Sequence, residues 1–355
     1  MEGGGVEKNI ILISNYLSKN LKKIILITFD NKFNKNFSKK IKIINPNSIK
    51  NKKYSKYYKY FICLMILFKQ ILTNKNSLIF AFQANIYCII LSIFLNVPII
   101  VRSNSSPTGW TNNFIKNFLF KFFFQLCNLL IVNSYEFKKE IDKKFNINSK
   151  VIYNPLNKKK IIEKSKLTVN FDFFKKDQSL KIINIARFTD QKDHLTLIKA
   201  FKILYKKINA KLLIIGYGAN YKIMKNFIID NNLNKKVKII KFQENPYKYL
   251  RRADLFVLTS RYEGLPNVLL EAMTLKKFVI STDCQTGPKE ILNNGKYGIL
   301  FKIKDYKTLS KKIIFFSKNK NKLKKKINLA YQSLERFDFN INCKKYLSAV
   351  QSLNK

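Results

Sequence analysis

Residues 255–271 read LFVLTSRYEGLPNVLLE: an apolar run, a short polar turn and the start of a helical pattern. The apolar run at 255–258 is typical of a β-strand. Pro266 suits the first turn of a helix, and a helix N-terminus presents N–H groups that bind an anion. A strand that leads through a short turn into a helix is the repeating unit of an α/β fold.

The same alternation of short apolar runs and amphipathic stretches continues in both directions along the 355 residues. It predicts an α/β protein with parallel sheets. The length indicates two domains of ordinary size. Helical patterns separate twelve predicted strands, at residues 24–29, 41–44, 77–82, 97–102, 129–133, 150–152, 181–186, 211–215, 236–240, 255–258, 278–281 and 298–301.

Residues 154–179 break this rhythm with a proline and a lysine-rich stretch, so we place the connection between the domains there. The first domain is predicted at residues 1–156 and the second at 157–355. We allow the last helix, about residues 335–355, to cross back to the first domain.

The N-terminal sequence Gly3-Gly4-Gly5 leads into a predicted helix from about Val6 to Leu17. A glycine-rich loop of this kind normally follows a first strand. We therefore expect a truncated chain start and an N-terminal domain that lacks its first strand.

Hydrophobic residues make up 46% of the chain, which excludes a disordered protein. No run of 18 purely apolar residues occurs, and residues 86–101 are interpreted as a buried helix followed by a strand. The first residues have neither the basic nor the apolar region of a signal peptide, so we expect none. Five scattered cysteines without a CxxC motif predict free thiols, no disulfide framework and no zinc site, as in a reducing cytoplasm.

The net charge of +47 has two interpretations. Such an excess attracts nucleic acid or an anionic membrane, and compositional drift in an AT-rich genome produces the same excess. The charge is spread over both halves of the chain, which favours drift as its main cause. Even so, anionic lipid attracts such a surface, by about 1 kcal/mol for each well-placed Lys or Arg.

Two pairs of charged residues follow predicted strands of the second half. Glu263 lies just before the predicted helix that follows the strand at 255–258, and Glu271 lies about a turn and a half inside that helix. Together they would accept hydrogen bonds from sugar and ribose hydroxyls; the alternative is a capping acid and an exposed helix acid. Arg187 and Lys192 would point into a ligand crevice and hold a diphosphate; the alternative is ordinary surface charge.

These motifs resemble those of the retaining glycosyltransferases of family 4. Those enzymes have the GT-B fold, in which two Rossmann-like domains with parallel sheets face each other across a cleft. The resemblance rests on residues 186–192, 215–218, 253–258 and the E-x7-E run in the second half, and on GGGVEK at 3–8 and IYNPL at 152–156 in the first. The run TDCQTGPKEI at 282–291 resembles a subgroup that transfers N-acetylhexosamines, often N-acetylgalactosamine, onto lipid-linked glycans.

The resemblance implies a hexosyltransferase that moves a sugar, with retention, from a UDP-sugar to an acceptor hydroxyl. Arg187 and Lys192 would grip the donor diphosphate, and Glu263 would contact the sugar hydroxyls; these three are the predicted catalytic residues. Glu271 would bind the ribose. Further donor contacts are predicted for Gly4, Gly5, Gly216, Leu265, Asn267 and Val268, and acceptor contacts for Arg102 and Asn104.

No Asp-x-Asp motif occurs, so we expect no metal and no other cofactor. Without an evident enzyme nucleophile, we expect front-face attack, with the leaving phosphate taking the acceptor proton. The only histidine, His194, is interpreted as a helix-start residue rather than a base.

The predicted partners are the nucleotide sugar, a glycan or lipid-linked acceptor and an anionic membrane surface, but not nucleic acid. We expect a cytoplasmic enzyme of cell-envelope polysaccharide or lipopolysaccharide synthesis, peripheral at the inner face of the plasma membrane. The aromatics and lysines of residues 114–124 suit an interfacial helix, and residues 52–60 form a second basic and aromatic patch. The alternative is that residues 114–124 form an ordinary core helix.

Three other functions remain open from the sequence. The first is an enzyme of the same family that uses another nucleotide sugar and a soluble acceptor. The second is a basic protein that binds nucleic acid. An oxidoreductase is less consistent with the sequence, because GGGxE lacks the G-x-G-x-x-G spacing of a dinucleotide site.

Overall fold

The computed structural model describes residues 4–31, 34–46, 54–74, 76–104, 113–174 and 177–353. The chain forms two compact units: unit 1 comprises residues 1–155 and 339–355, and unit 2 comprises residues 156–338. All twelve predicted strands are present, with bounds within two residues of the prediction. Their pairings are all parallel, so the α/β prediction is confirmed.

Unit 1 has one parallel sheet of four strands and a separate parallel pair. Its strands are β1 (Ile24–Ile27), β2 (Ile41–Ile44), β3 (Ile79–Ala81), β4 (Ile99–Arg102), β5 (Leu129–Val132) and β6 (Lys150–Val151). Its helices are α1 (Gly5–Leu17), α2 (Lys56–Thr73), α3 (Asn85–Phe94), α4 (Phe114–Gln125), α5 (Tyr135–Phe145) and α14 (Phe339–Gln351).

The strands of unit 1 present successive side chains to two different cores. Ile99 and Val101 of β4 pack with the helices α2, α3, α4 and α5. Ile100, between them in sequence, packs with α1 and α14 instead. Because side chains alternate across a strand, these two cores lie on opposite faces of the β3–β6 sheet.

Unit 2 has a single sheet of six parallel strands, in the order β12-β11-β10-β7-β8-β9. These strands are β7 (Leu180–Ile185), β8 (Ala210–Gly216), β9 (Val237–Lys241), β10 (Leu255–Leu258), β11 (Phe278–Thr282) and β12 (Ile299–Phe301). Its helices are α6 (Lys158–Ser165), α7 (His194–Leu204), α8 (Tyr221–Asp230), α9 (Tyr247–Leu250), α10 (Asn267–Thr274), α11 (Pro288–Ile291), α12 (Tyr306–Lys318) and α13 (Lys324–Gln332).

The two units differ in the middle of their sheets. In unit 2 the first strand, β7, lies between β8 and β10 and joins the whole sheet together. In unit 1 the strands that correspond in position to β8 and β10 are β1 and β3, and these two belong to separate sheets. No strand precedes α1 among the residues from Gly4 onward that the structure describes. Unit 1 therefore resembles unit 2 without its central strand.

Residues 86–101 form most of α3 and of β4, which confirms the interpretation as a helix followed by a strand. Within the described ranges, none of the helices has the length and hydrophobicity needed to cross a membrane. All five cysteines are free thiols. Burial raises the pKa of Cys88, Cys127 and Cys284 to about 12, so these thiols stay protonated at neutral pH.

Candidate functional site

Four loops of unit 2 follow the neighbouring strands β11, β10, β7 and β8. Because these strands are parallel, their carboxyl ends lie at the same edge of the sheet, where ligands bind in open α/β sheets. Arg187 and Lys192 follow β7, Gly216 ends β8, and Glu263 follows β10. The topology thus brings the predicted donor residues of unit 2 to one edge.

Lys192 and Glu263 form an ion pair at this edge. The Lys192 Nζ donates a hydrogen bond of 2.6 Å to Glu263 Oε1, and the Ser260 hydroxyl donates one of 2.7 Å to the same oxygen. The two charged side chains are only 15% and 7% exposed. A charge-assisted contact with so little solvent around it fixes the carboxylate in one orientation.

The loops that carry this pair are also joined by three hydrogen bonds to backbone carbonyls, two of them donated by side chains. The Gln191 side chain donates to the Tyr262 carbonyl at 2.9 Å, and the Arg261 N–H donates to the Gln191 carbonyl at 2.8 Å. The Thr259 hydroxyl donates to the Lys192 carbonyl at 2.9 Å. Lys192 and Glu263 therefore hold their separation through several contacts and not through the ion pair alone.

Two glycines allow the loop after β8 to lie directly against the loop that carries Arg187. A Cβ on Gly216 would be 1.9 Å from the Ala186 carbonyl oxygen, and one on Gly218 would be 2.4 Å from the Phe188 carbonyl oxygen. Gly218 also has φ of +145°, which only glycine adopts readily. The contact between these loops accounts for both glycines, and a donor contact from Gly216 remains a prediction.

The loop after β11 supports the backbone beside Glu263. The Thr286 hydroxyl donates a 2.5 Å hydrogen bond to the Glu263 carbonyl oxygen. A Cβ on the next residue, Gly287, would be 1.9 Å from the Gly264 carbonyl oxygen. Thr286 has φ of +61°, an unusual conformation for a β-branched residue. Thr286 was not among the predicted site residues, although it lies within the TDCQTGPKEI motif.

Glu271 is buried within α10, and the Tyr247 hydroxyl donates to its Oε1 at 3.1 Å. The alternative interpretation as an exposed helix acid is therefore wrong for Glu271. Tyr247 and Ser260, the partners of the two glutamates, were not predicted, because no motif distinguishes them from the many other tyrosines and serines.

The start of α10 suits an anion. Leu265 is buried before it, Pro266 is the N-cap residue, and Asn267 and Val268 are its half-buried first two residues. The N-cap residue Pro266 makes no side-chain cap hydrogen bond, and the first turn of this described helix contains no acid that would offset the positive end of the helix dipole. Arg187, after β7, is exposed at the surface of unit 2.

In unit 1, the predicted glycine loop precedes α1. Gly4 is the N-cap residue of this helix, Gly5 is its first residue, and Glu7 lies in its first turn. Gly3 lies outside the described residues. Phosphate contacts by Gly4 and Gly5 remain a prediction from the resemblance.

Arg102 lies inside unit 1 and has no exposed surface. Its guanidinium donates to the Tyr346 hydroxyl at 2.9 Å and to the side-chain oxygens of Asn104 and Asn154. These bonds join the end of β4 to α14. A direct contact between Arg102 and the acceptor does not fit this arrangement, because the guanidinium is buried and its hydrogen bonds go to these partners. The predicted acceptor role of Arg102 is therefore replaced by a structural role. Asn104 is half-buried, and its acceptor role remains a prediction.

His194 is the first residue of α7 and is only 2% exposed. Its ring packs edge-on against Phe188, with ring centroids 5.2 Å apart. Burial, with a smaller effect of the Lys192 charge, lowers the pKa of His194 to about 3, so the ring is neutral at ordinary pH. An enclosed neutral ring fits a helix-start residue better than a catalytic base. In the part of the chain that the structure describes, no three His, Cys, Asp or Glu side chains are grouped as a metal site.

Comparisons with known proteins found similarity to glycosyltransferases. The family model described as "Glycosyl transferases group 1" matches residues 165–333, nearly all of unit 2. An uncharacterized glycosyltransferase of Methanocaldococcus jannaschii is 34% identical over 245 residues, which cover 60% of each chain. The N-acetylgalactosamine-N,N'-diacetylbacillosaminyl-diphospho-undecaprenol 4-alpha-N-acetylgalactosaminyltransferase of Campylobacter jejuni is 29% identical over 195 residues, 54% of this chain and 51% of that one.

The chain thus spans only about half to three fifths of the length of these two relatives. Among solved structures, Anabaena HepE in complex with UDP has a TM-score of 0.77, covering 98% of this chain and 96% of that one. The sequence identity of 17% limits this likeness to the fold. Residues 165–333 are therefore similar to the glycosyl transferases group 1 family, in a chain that has the GT-B fold.

Proposed function

We propose that this protein is a retaining hexosyltransferase that moves an N-acetylhexosamine from a UDP-sugar to a hydroxyl of a lipid-linked glycan, without a metal. The reaction would take place at the inner face of the plasma membrane. The observation that carries the proposal is the Lys192–Glu263 ion pair, which holds a cation and a buried carboxylate together at the ligand-binding edge of the unit 2 sheet.

The cations of this edge suit a departing nucleoside diphosphate. Lys192 and Arg187 follow the same strand, and the start of α10 adds the positive end of a helix dipole. Fixed positive groups of this kind offset the charge that develops on the leaving phosphate. We assign the diphosphate to Arg187, Lys192 and the amides of Leu265, Asn267 and Val268.

The carboxylates suit hydroxyl groups. Among the contacts of the described residues, both hydrogen bonds to the Glu263 carboxylate reach Oε1, so Oε2 is assigned to a hydroxyl of the donor sugar. Glu271, held by Tyr247, is assigned to the ribose. The leaving phosphate would take the acceptor proton in a front-face attack.

The choice of donor and acceptor is supported by the relatives. The Campylobacter relative is named for N-acetylgalactosamine transfer to a diphospho-undecaprenol glycan, and Anabaena HepE is solved with UDP. The TDCQTGPKEI motif, through Thr286, contacts the backbone of the proposed sugar-binding residue Glu263. The Campylobacter relative and this motif favour an N-acetylhexosamine as the donor sugar, and HepE favours UDP as the nucleotide.

A thermal-shift screen of nucleotides and nucleotide sugars tests the donor. A ligand at 100 times its Kd stabilises the folded state by about 2.7 kcal/mol, which shifts the melting temperature measurably. We expect shifts with UDP and UDP-N-acetylhexosamines, and smaller ones with GDP or ADP. A shift with another nucleotide but none with UDP would reassign the donor. Transfer from the best donor to an undecaprenyl-diphosphate glycan, against the free glycan, then tests the acceptor.

A further inference from the structure

We propose that the outer faces of α2, α3 and α4 form one surface that docks on an anionic membrane. This α2–α4 surface is represented by Tyr57 and Phe61 of α2, Ile93 and Phe94 of α3, and Phe114 and Phe118 of α4. The inference rests on the proposed function in one respect: a lipid-linked acceptor lies at the membrane, where a docked enzyme meets it. It extends the predicted interfacial helix of residues 114–124 to two further helices.

The three helices lie side by side on one face of the β3–β6 sheet. Their inner faces share one core, in which Ile71 of α2, Ile89 of α3 and Phe124 of α4 are buried. The rings of Tyr60 and Tyr87 join α2 to α3, with centroids 6.1 Å apart. Helices that share an inner face in one layer present their outer faces to the same side.

Those outer faces are apolar. Of 23 large exposed hydrophobic side chains among the described residues, 15 belong to α2, α3 and the segment from Phe114 to Leu126. Phe114 is 83% exposed and Phe94 is 78% exposed. Only Phe124 of α4 is buried, so the alternative interpretation of this segment as an ordinary core helix is wrong. Exposed patches of this kind mark interaction sites rather than ordinary surface.

The fourth helix of the same layer provides an internal comparison. In α5, Phe137, Ile141 and Phe145 are buried in the shared core, while Lys139 and Lys143 are exposed. This is the usual pattern of a helix with one face in water. The apolar outer faces of the other three helices are therefore not a general property of this layer or of the chain's composition.

The charges around the surface identify its partner. Residues 31–135 contain no aspartate and no glutamate, whereas Lys56, Lys69, Lys116 and Lys121 are exposed on α2 and α4. A second copy of this surface would bring lysine against lysine with no acid to pair them. Anionic lipid head groups complement the lysines, and the acyl boundary accepts the aromatic side chains.

The helix lengths fit docking on the membrane and not insertion through it. The helix α4 has 12 residues and α3 has 10, far fewer than a bilayer crossing requires, and α2, with 18 residues, is not apolar enough to cross one. An amphipathic helix of this kind lies in the plane of the interface with its apolar side chains just below the head groups. The α2–α4 surface would hold unit 1 against the membrane.

Vesicle flotation of the full chain tests the proposal. Vesicles of phosphatidylcholine alone are compared with vesicles of equal parts phosphatidylcholine and phosphatidylglycerol, at low and high salt. We expect binding to the anionic vesicles that weakens but persists as salt rises, because salt screens the lysines and not the aromatic insertion. Phe61→Asp on α2, Phe94→Asp on α3 and Phe122→Asp on α4 should each lower the bound fraction by about tenfold.

Phe315→Asp on α12 of unit 2 is the matched control, since Phe315 and Phe122 are both 49% exposed. It should float like the parent chain, and unchanged melting temperatures should show that all variants fold. Failure of the parent chain to bind anionic vesicles, or binding by the three variants equal to that of the control, would overturn the proposal. Dimers that the same variants dissociate would assign the surface to a second copy instead. UDP-induced thermal shifts test the donor site separately, so either proposal can fail alone.

Discussion

The Lys192 ammonium and the Glu263 carboxylate lie 2.6 Å apart, although 71 residues separate them in the sequence. The pair joins the loop after β7 to the loop after β10, and Ser260 donates to the same carboxylate oxygen. One residue thus carries a positive charge suited to a phosphate, and the other carries acceptor oxygens suited to a sugar. The pair is where the proposed diphosphate and sugar contacts meet.

Glu263→Gln should lower turnover more than it lowers affinity for UDP. The amide keeps an acceptor oxygen but loses a charge-assisted hydrogen bond, which contributes about 1.5–3 kcal/mol, or a factor of about 10–100 in kcat/KM. Steady-state kinetics and UDP titration of the same preparation measure the two effects. If UDP affinity falls as much as turnover, Glu263 contacts the nucleotide and not the sugar.

Arg187→Ala should abolish transfer while the fold stays intact, because it removes a guanidinium from the departing diphosphate. Loss of such a donor costs several kcal/mol in the transition state, about 3 kcal/mol or more than a hundredfold in kcat. Arg252→Ala is the control, since Arg252 is also an exposed arginine of unit 2 but does not follow β7. Near-normal turnover of the purified Arg187→Ala protein would show that the donor site is misplaced.

Tyr247→Phe should raise the KM for the donor by about 2- to 10-fold with little change in kcat, because a single hydrogen bond contributes about 0.5–1.5 kcal/mol. Tyr247 acts through Glu271 as a positioning residue. The neighbouring Tyr249→Phe is a control, since the Tyr249 hydroxyl donates to Gln243 Oε1 at 3.4 Å. A fall in kcat with an unchanged KM for the donor would show that Tyr247 does not act through ribose binding.

The stability of the protein should fall as pH drops below about 6.5, the unfolded pKa of histidine. The folded pKa of His194 is lowered to about 3, chiefly by burial, so the unfolded chain binds a proton there that the folded chain does not. The stability is therefore complete above pH 6.5 and decreases towards pH 3, by about 1.4 kcal/mol per pH unit. Urea unfolding between pH 7 and 5 measures the slope.

His194→Leu provides the control for this pH dependence, because His194 is the only histidine in the chain. Within the described structure neither ring nitrogen has a hydrogen-bond partner, so leucine removes no buried bond. The slope between pH 6.5 and 5 should disappear in this variant. A slope that persists would come from another group.

Transfer activity should not change when EDTA is added. The proposed site offsets the diphosphate charge with Arg187, Lys192 and the start of α10, so a chelator removes nothing that the chemical step needs. Initial rates with and without EDTA, followed by addition of Mg²⁺ or Mn²⁺, measure this. A strict requirement for either ion in the chemical step would contradict the metal-free mechanism.

The amino-acid sequence by itself determined the twelve strands and the loops that carry the candidate residues. Apolar runs such as Leu255–Leu258 are local patterns, and a strand needs no distant partner to be recognised from them. Parallel order then places the loop ends at one edge of a sheet. The sequence therefore predicted that the loop with Arg187 and Lys192 lies beside the loop with Glu263.

The tertiary structure alone decided which side chains meet and which face solvent. Lys192 contacts Glu263, and Tyr247 contacts Glu271, through hydrogen bonds that span 71 and 24 residues. Arg102 is buried against Tyr346, 244 residues away, which its position at a strand end did not predict. Periodicity describes one helix at a time, so it left open whether the phenylalanines of α4 lie in a core or in solvent. That outcome depends on packing: α4 shares one layer with α2, α3 and α5, and only one of its faces reaches the sheet.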